Sequence, residues 1–86
     1  MYLHLGQNIL VPMSSVIGIF DMDNTTGSPV TRTFLTRAEK EGRVVNICED
    51  IPKSFAVCEE GGKTTIYLSQ LSSSTLLRRS ESFSFD

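Results

Sequence analysis

Several residue types are scarce in this chain of 86 residues, and each scarcity excludes a class of protein. The sequence has no Trp, two Cys and one His. Cys48 and Cys58 are too few and too far apart for a zinc knuckle, and His4 cannot complete one. Because small secreted domains carry denser cysteine frameworks, both thiols are predicted to be reduced and buried. No apolar run reaches the roughly 18 residues that a membrane-spanning helix needs.

Positive charge is absent from the first 31 residues, and the first cation is Arg32. A secretory signal peptide needs a basic head, so the sequence predicts a cytoplasmic protein. Eight Lys and Arg against ten Asp and Glu give a net charge of -2, which argues against a uniformly basic nucleic-acid-binding peptide. The cations nevertheless gather in two stretches, since residues 31–43 carry +2 and residues 63–79 carry +3.

The length indicates one small domain over residues 1–86, with 80–86 either a flexible or a docked tail. Apolar and β-branched runs predict strands over residues 2–5, 9–11, 16–20, 44–48, 54–58 and 64–68. The glycine inside the third run suggests a β-bulge. Gly61-Gly62 predicts a tight hairpin between the last two runs.

Two helices are predicted. Val30, Phe34, Leu35 and Ala38 form one apolar helical face, which follows Ser28-Pro29 as a cap signal and is ended by Gly42. The serine-rich stretch 71–79 predicts a short C-terminal helix. The expected fold class is α+β, a small and mostly antiparallel sheet with one main helix and a short C-terminal helix. One main helix covers one face of such a sheet, so another subunit is expected on the other face or an edge.

One motif resembles a catalytic one. Asp21 to Thr25 after a hydrophobic strand is similar to the nucleophile motif of haloacid-dehalogenase-type phosphatases, where Asp attacks phosphorus and Mg²⁺ binds nearby. That fold needs a parallel sheet, whereas the remaining chain is patterned as hairpins. We therefore interpret the motif as a polar turn and predict no catalytic residue, no metal, no cofactor and no small-molecule substrate.

The basic residues are the remaining candidates for function. The cations near the first helix, Arg32, Arg37, Lys40 and Arg43, could form a stripe that contacts DNA phosphates. A second patch near the loop and the last helix could consist of Lys53, Arg78 and Arg79. The alternative interpretation is a solvated, partly ion-paired surface. The DNA-binding candidates are Arg32, Arg37, Arg43, Lys53, Arg78 and Arg79. Lys40 lies on the same predicted helix as Arg32 and Arg37.

Four segments taken together point to a family: Met1–Gly6, Val16–Asp21, Ile51–Phe55 and Leu68–Leu76. Their order and spacing resemble the extracellular-matrix regulatory proteins RemA and RemB, with the closer similarity to the RemB type. The resemblance covers nearly the whole chain.

This resemblance implies a cytoplasmic bacterial regulator of biofilm-matrix genes. It implies assembly into a homo-oligomer, such as a ring, and transcriptional activation through arginines that bind DNA. Arg79 falls near one of those arginines, whereas Ser14-Ser15 and Lys53 stand where the resemblance would place others. The alternative is a non-enzymatic oligomeric scaffold, or partner-binding protein, without DNA affinity.

Overall fold

The structure, a computed structural model, describes residues 1–22, 29–48 and 50–82. The elements in chain order are β1 (Tyr2–Gly6), β2 (Ile9–Pro12), a 3-10 turn (Met13–Ser15), β3 (Val16–Asp21), α1 (Pro29–Lys40), β4 (Val44–Asn46), β5 (Ser54–Glu60), β6 (Lys63–Ser69) and α2 (Ser73–Ser82). The predicted α+β class, with one main helix and a short C-terminal helix, is confirmed.

The strands divide between two sheets. β1 and β2 form an antiparallel hairpin, and the other four strands form a sheet in the order β3-β5-β6-β4. β5 pairs antiparallel with both β3 and β6, while β4 pairs parallel with β6. The parallel pairing arises because α1 crosses from one edge of the sheet to the other and returns the chain for β4.

The four-stranded sheet is covered on both faces. Phe55 and Val57 of β5 contact the core that includes Ala38 of α1. The alternate residues Ala56 and Cys58 face a second core formed with the hairpin and with Leu76 of α2. Alternation along a strand sends successive side chains to opposite faces, so β5 is buried on both sides. The molecule therefore has three layers: α1, the sheet, and the hairpin with α2.

This arrangement corrects one expectation. Another subunit was expected on the second face of the sheet or on an edge; the β1–β2 hairpin and α2 of the same chain cover that face, and a contact with another subunit stays a prediction. The hairpin was predicted as part of one continuous sheet, yet β1 and β2 pair only with each other. Short separate sheets allow the hairpin to pack face to face on the larger sheet, which buries Leu3, Leu5 and Val11.

The predicted bulge in β3 is confirmed and has a consequence for the surface. The register against β5 shifts between Val16 and Gly18, so that one extra residue stands in β3. As a result Val16 and Ile19 both pack on the hairpin side, which strict alternation would forbid. Ile17 and Phe20 are exposed instead. A Cβ on Gly18 would lie 2.8 Å from the Phe20 ring, so glycine is needed for that ring position.

The C-terminal end of α1 and the start of α2 are capped as their sequences indicate. Gly42 has φ +72°, its N–H donates to the Glu39 carbonyl, and the Arg43 N–H donates to the Ala38 carbonyl. This pair of bonds is the Schellman motif that ends α1. Ser72 Oγ accepts the N–H of Thr75 and begins α2. The predicted cap at Ser28 lies outside the described residues.

Two buried serines connect the hairpin layer to the sheet. Ser69 Oγ donates to the Leu5 carbonyl at 2.6 Å and accepts the Leu71 N–H at 3.1 Å. Its cross-strand neighbour Ser54 donates to the Leu71 carbonyl at 2.7 Å. Because both side chains are fully buried, these bonds satisfy backbone groups that water cannot reach.

The remaining predictions hold in part. Both cysteines are free, as predicted; Cys58 is buried in the core, whereas Cys48 is only half-buried. The strand predicted over 44–48 ends at Asn46. Residues 80–82 of the predicted tail belong to α2, and 83–86 lie outside the described residues.

Candidate nucleic-acid interface

One side of α1 presents cations and hydroxyl groups to solvent. A shallow depression of about 470 Å³ runs along it. We call this surface the α1 stripe; besides Pro29, it is lined by Arg32, Thr33, Thr36, Arg37 and Lys40. The spacing explains the alignment, because residues three or four apart are neighbours on a helix surface. The predicted basic stripe on the first helix is therefore present for three of its four cations.

The three cations of the α1 stripe are exposed. The ion pair between Arg43 and Glu41 does not involve them. The hydroxyl of Thr33 donates back to the Pro29 carbonyl at 2.9 Å, which keeps that side chain against the helix. Among the residues that the structure describes, no carboxylate lines the depression. The α1 stripe is thus a positively charged surface whose cations are available to a ligand.

Arg43, the fourth predicted cation, lies beyond the end of α1. Its Nε and Nη2 donate to Glu41 Oε1 at 2.9 and 2.5 Å, and its Nη1 lies 3.4 Å from the Thr64 carbonyl. An ion pair of this exposure contributes at most about 1 kcal/mol and neutralises part of the local charge. Arg43 is thereby separated from the α1 stripe.

Arg79 connects α2 to the hairpin. Its Nη1 donates to the His4 carbonyl at 3.0 Å and lies 3.3 Å from His4 Nδ1. On the same ring, Nε2 lies 2.7 Å from the Gln7 carbonyl, which can only accept, so Nε2 carries the proton. Nδ1 is then the acceptor that meets the guanidinium. Nothing in the sequence indicated that His4 would meet Arg79.

The two other predicted cations are exposed and lie apart from the α1 stripe. Arg78 is on α2, which packs on the opposite side of the sheet from α1. Lys53 precedes β5, and its backbone bonds to Ser69 and Met22 hold it at the end of the sheet. The six candidates therefore do not converge on one face, and their role in DNA binding stays a prediction.

An apolar groove lies on the other flank of α1. We call it the α1–β3 groove, a depression of about 320 Å³ lined by Ile17, Phe20, Val30, Thr31, Phe34, Phe55 and Val57. Val30 is 79% exposed and Ile17 62% exposed. The rings of Phe20 and Phe55 stack with centroids 5.2 Å apart and form its floor. This groove was not predictable from the sequence, because it forms only where α1 packs beside the face of the sheet that carries Ile17 and Phe20.

The phosphatase-like motif lies at the end of β3, and only its first two residues are described. Asp21 ends a strand that is antiparallel to its neighbour β5, not a strand of a parallel sheet. Within residues 1–22, 29–48 and 50–82, no group of three His, Cys, Asp or Glu side chains is placed to hold a metal ion. In the same residues, no helix has the length and apolarity to cross a bilayer.

The fold and this surface define a class: a small three-layer α+β protein with a basic helix face beside an apolar groove. Comparison with known sequences gives the family. The sequence model of the RemA-like family, described as extracellular matrix regulatory protein A-like, matches residues 2–79. The chain is also 37% identical over 81 residues to extracellular matrix regulatory protein B of Bacillus subtilis (strain 168), covering 94% of this chain and 91% of that protein. The chain belongs to the RemA-like family, and the resemblance noted in its sequence is confirmed.

Proposed function

We propose that this protein is a DNA-binding transcriptional regulator of biofilm extracellular-matrix genes, acting as a homo-oligomer in the cytoplasm. Membership of a family of matrix regulatory proteins supports the regulatory role. The observation that carries DNA binding is the α1 stripe, where Arg32, Arg37 and Lys40 face solvent on one helix side and have no ionic partner in the described part of the chain. Such cations bind phosphate oxygens and release counterions.

Assembly resolves the difficulty raised by the acidic composition. A single chain with a net charge of -2 and three clustered cations has a small electrostatic footprint on DNA. Repetition of the same patch around an oligomer converts each further contact into an intramolecular one, which raises the overall affinity by orders of magnitude. DNA binding is thus expected to depend on self-association.

The α1–β3 groove supports self-association. It leaves four large apolar side chains in water, two of them more than half exposed. Contiguous apolar surface of this kind marks an interaction site more often than an idle surface. Covering the groove with a second copy leaves the α1 stripe accessible, because the two surfaces occupy different sides of the helix.

The test is DNA binding by the full chain, measured by fluorescence anisotropy with labelled duplexes over a salt series. We expect binding at low salt that weakens steeply as salt rises from 50 to 200 mM. Light scattering on the same samples is expected to give a mass of several chains. Absence of binding to any duplex at low salt would overturn the DNA-binding function.

A second candidate function is a non-enzymatic scaffold or partner-binding protein without DNA affinity. The groove favours it, because an apolar docking surface needs no nucleic acid. The same two measurements separate the candidates: a stable oligomer that ignores DNA at low salt supports the scaffold, whereas salt-dependent binding supports the regulator.

A further inference from the structure

A polar recess lies on the side of the sheet opposite α1, close to the turn between β5 and β6. We call it the β5–β6 recess; its volume is about 200 Å³, and it is lined by Ser15, Cys58, Glu60, Lys63, Thr65 and Tyr67. We infer that this recess is a binding site for a small zwitterion of the α-amino-acid type. The inference is independent of the proposed function, because the recess and the α1 stripe share no residue.

Strand pairing places five of the six side chains on one face of the sheet. Cys58 stands opposite Thr65, and Glu60 stands opposite Lys63. Residues two apart on a strand share a face, so Tyr67 joins this group. Cys58 is buried in the core under the β1–β2 hairpin, whereas Glu60 and Lys63 are exposed. The recess therefore lies where the cover of this face ends.

The two charged side chains of the recess are not paired with each other. Glu60 and Lys63 are directly opposed on neighbouring strands, where Cβ atoms stand about 4.5–5.5 Å apart. Neither has an ionic partner in the described part of the chain. One carboxylate and one ammonium give the recess no net charge. They favour a ligand that carries one charge of each sign and can engage both groups.

Hydrogen-bond acceptors and donors occupy different sides of the recess. The Ser15 hydroxyl donates its proton to the Pro12 carbonyl at 2.8 Å, so toward a ligand it can only accept. Ser15 precedes β3, which pairs with β5, the strand that carries the Glu60 carboxylate. On the far side, β6 carries the donors Lys63 and Tyr67. A ligand ammonium is thus directed toward β5 and a ligand carboxylate toward β6.

The thiol and the phenol of the recess stay neutral at physiological pH. Burial raises the pKa of the Cys58 thiol above its ordinary 9.0. Burial, and after it the nearby Cys58 and Glu60, raises the pKa of the Tyr67 phenol above its ordinary 10.0. Tyr67 therefore remains a donor, and a protonated thiol is a poor nucleophile. The recess is suited to reversible binding rather than to covalent chemistry.

The volume of the recess selects a small ligand. Pockets for drug-sized molecules measure about 300–1,000 Å³, and the β5–β6 recess lies below that range. A free amino acid with a short side chain, such as L-serine, is of suitable size, whereas a nucleotide or a peptide is too large. So few atoms make few contacts, and we expect a dissociation constant of about 0.1–1 mM.

NMR on the isotope-labelled full chain tests this inference, with glycine, L-alanine, L-serine and L-threonine as probes. At about 10 mM we expect L-serine to shift the backbone amide signals of Ser15, Cys58 and Tyr67, since this concentration exceeds the expected dissociation constant. The matched controls are ethanolamine, which is serine without its carboxylate, and β-hydroxypropionate, which lacks the ammonium. Each control loses one charge-assisted contact and is expected to bind about 10-fold more weakly or worse.

Two variants remove the protein charges in turn. E60Q and K63Q keep the size of each side chain, and each is expected to weaken L-serine binding about 10-fold or more. E59Q and K53Q are the matched controls, because Glu59 and Lys53 are exposed and do not line the recess. Both controls are expected to keep the wild-type affinity. All four positions are exposed, and circular dichroism establishes that the variants retain the fold.

Three results would overturn the assignment. The first is the absence of shifts with all four amino acids at about 10 mM. The second is equal affinity of the wild-type chain for L-serine and the singly charged controls, or of E60Q and K63Q and their matched variants for L-serine. The third concerns a wider depression beside β4, which Lys63 and Thr65 also border: shifts confined to its residues Arg43 and Val45 would place the ligand there. None of these results depends on DNA, so the anisotropy measurement decides the proposed function separately.

Discussion

Replacing Val30 with Asp tests whether the α1–β3 groove joins copies of this chain. Val30 lies at the rim of the groove near the start of α1 and is 79% exposed in the single chain. Its burial in the folded monomer is therefore slight. The substitution should leave folding nearly unchanged and act on assembly alone, which makes the result interpretable.

The expected magnitude follows from that exposure. Complete burial of a valine side chain contributes about 1.5–3 kcal/mol, so covering the exposed four-fifths of Val30 contributes about 1–2 kcal/mol per contact. An aspartate buried there without a partner adds a penalty of several kcal/mol. Together they exceed about 3 kcal/mol, which weakens each contact more than 100-fold at about 1.4 kcal/mol per tenfold.

Sedimentation velocity over a concentration series measures this effect. The matched control is I51D, since Ile51 is 80% exposed, gains the same charge and does not line the groove. We expect V30D to sediment as a monomer where wild type and I51D sediment as oligomers, with equal thermal stability for all three. An unchanged oligomer in V30D, or equal dissociation of both variants, would refute the role of the groove.

Three further predictions concern stability. Ser69→Ala removes a buried donor to the β1 carbonyl and should lower the free energy of unfolding by about 1–3 kcal/mol, measured by urea titration; no change would show that another group satisfies that carbonyl. Burial raises the pKa of the Cys58 thiol above its ordinary 9.0, so the folded chain holds this proton more tightly than the unfolded chain. The contribution of this proton to the free energy of unfolding is therefore complete below pH 9.0 and decreases above it. Cys58→Ala should lose less free energy of unfolding than the wild-type chain between pH 7 and about pH 10. Equal losses would exclude the thiol as a cause. Arg79→Ala should speed hydrogen exchange in α2 by removing its bond to the His4 carbonyl, whereas Arg78→Ala should not; identical exchange in both would contradict the tether.

α1 has two functions in this proposal. Its basic side contacts DNA, and its apolar rim, Val30 and Phe34, contacts another copy. Both surfaces belong to one rigid helix. The contact that joins two copies at the groove therefore also fixes where each α1 stripe lies in the assembly. This coupling predicts that V30D also weakens DNA binding, although it lies outside the stripe.

Much of the fold was predictable because the responsible signals are local. Gly42 adopts the left-handed conformation that ends α1, and Gly61 and Gly62 both have positive φ in the predicted hairpin turn. The α1 stripe was predictable for a similar reason, since the helical period alone aligns Arg32 with Lys40. Such features need only the nearest few residues of the chain.

Features that depend on distant pairing were not predictable in this way. The chain pattern does not show that β1 and β2 form a sheet of their own, or that β4 runs parallel to β6. The hairpin and α2 cover the sheet face that was one of the two places expected for a subunit contact, and the other place, an edge, stays a prediction.

By itself, the sequence determined the α+β class, the family, the C-terminal end of α1, the turn between β5 and β6, and the basic side of α1, because each depends on local spacing or on residue order. Tertiary structure alone decided which cations remain available to a ligand. Arg79 lies 75 residues from His4 and Arg43 lies 21 from Thr64, and only folding brings such pairs together. It likewise decided where apolar surface stays in water, since packing of α1 on β5 forms the groove beside Ile17 and Phe20.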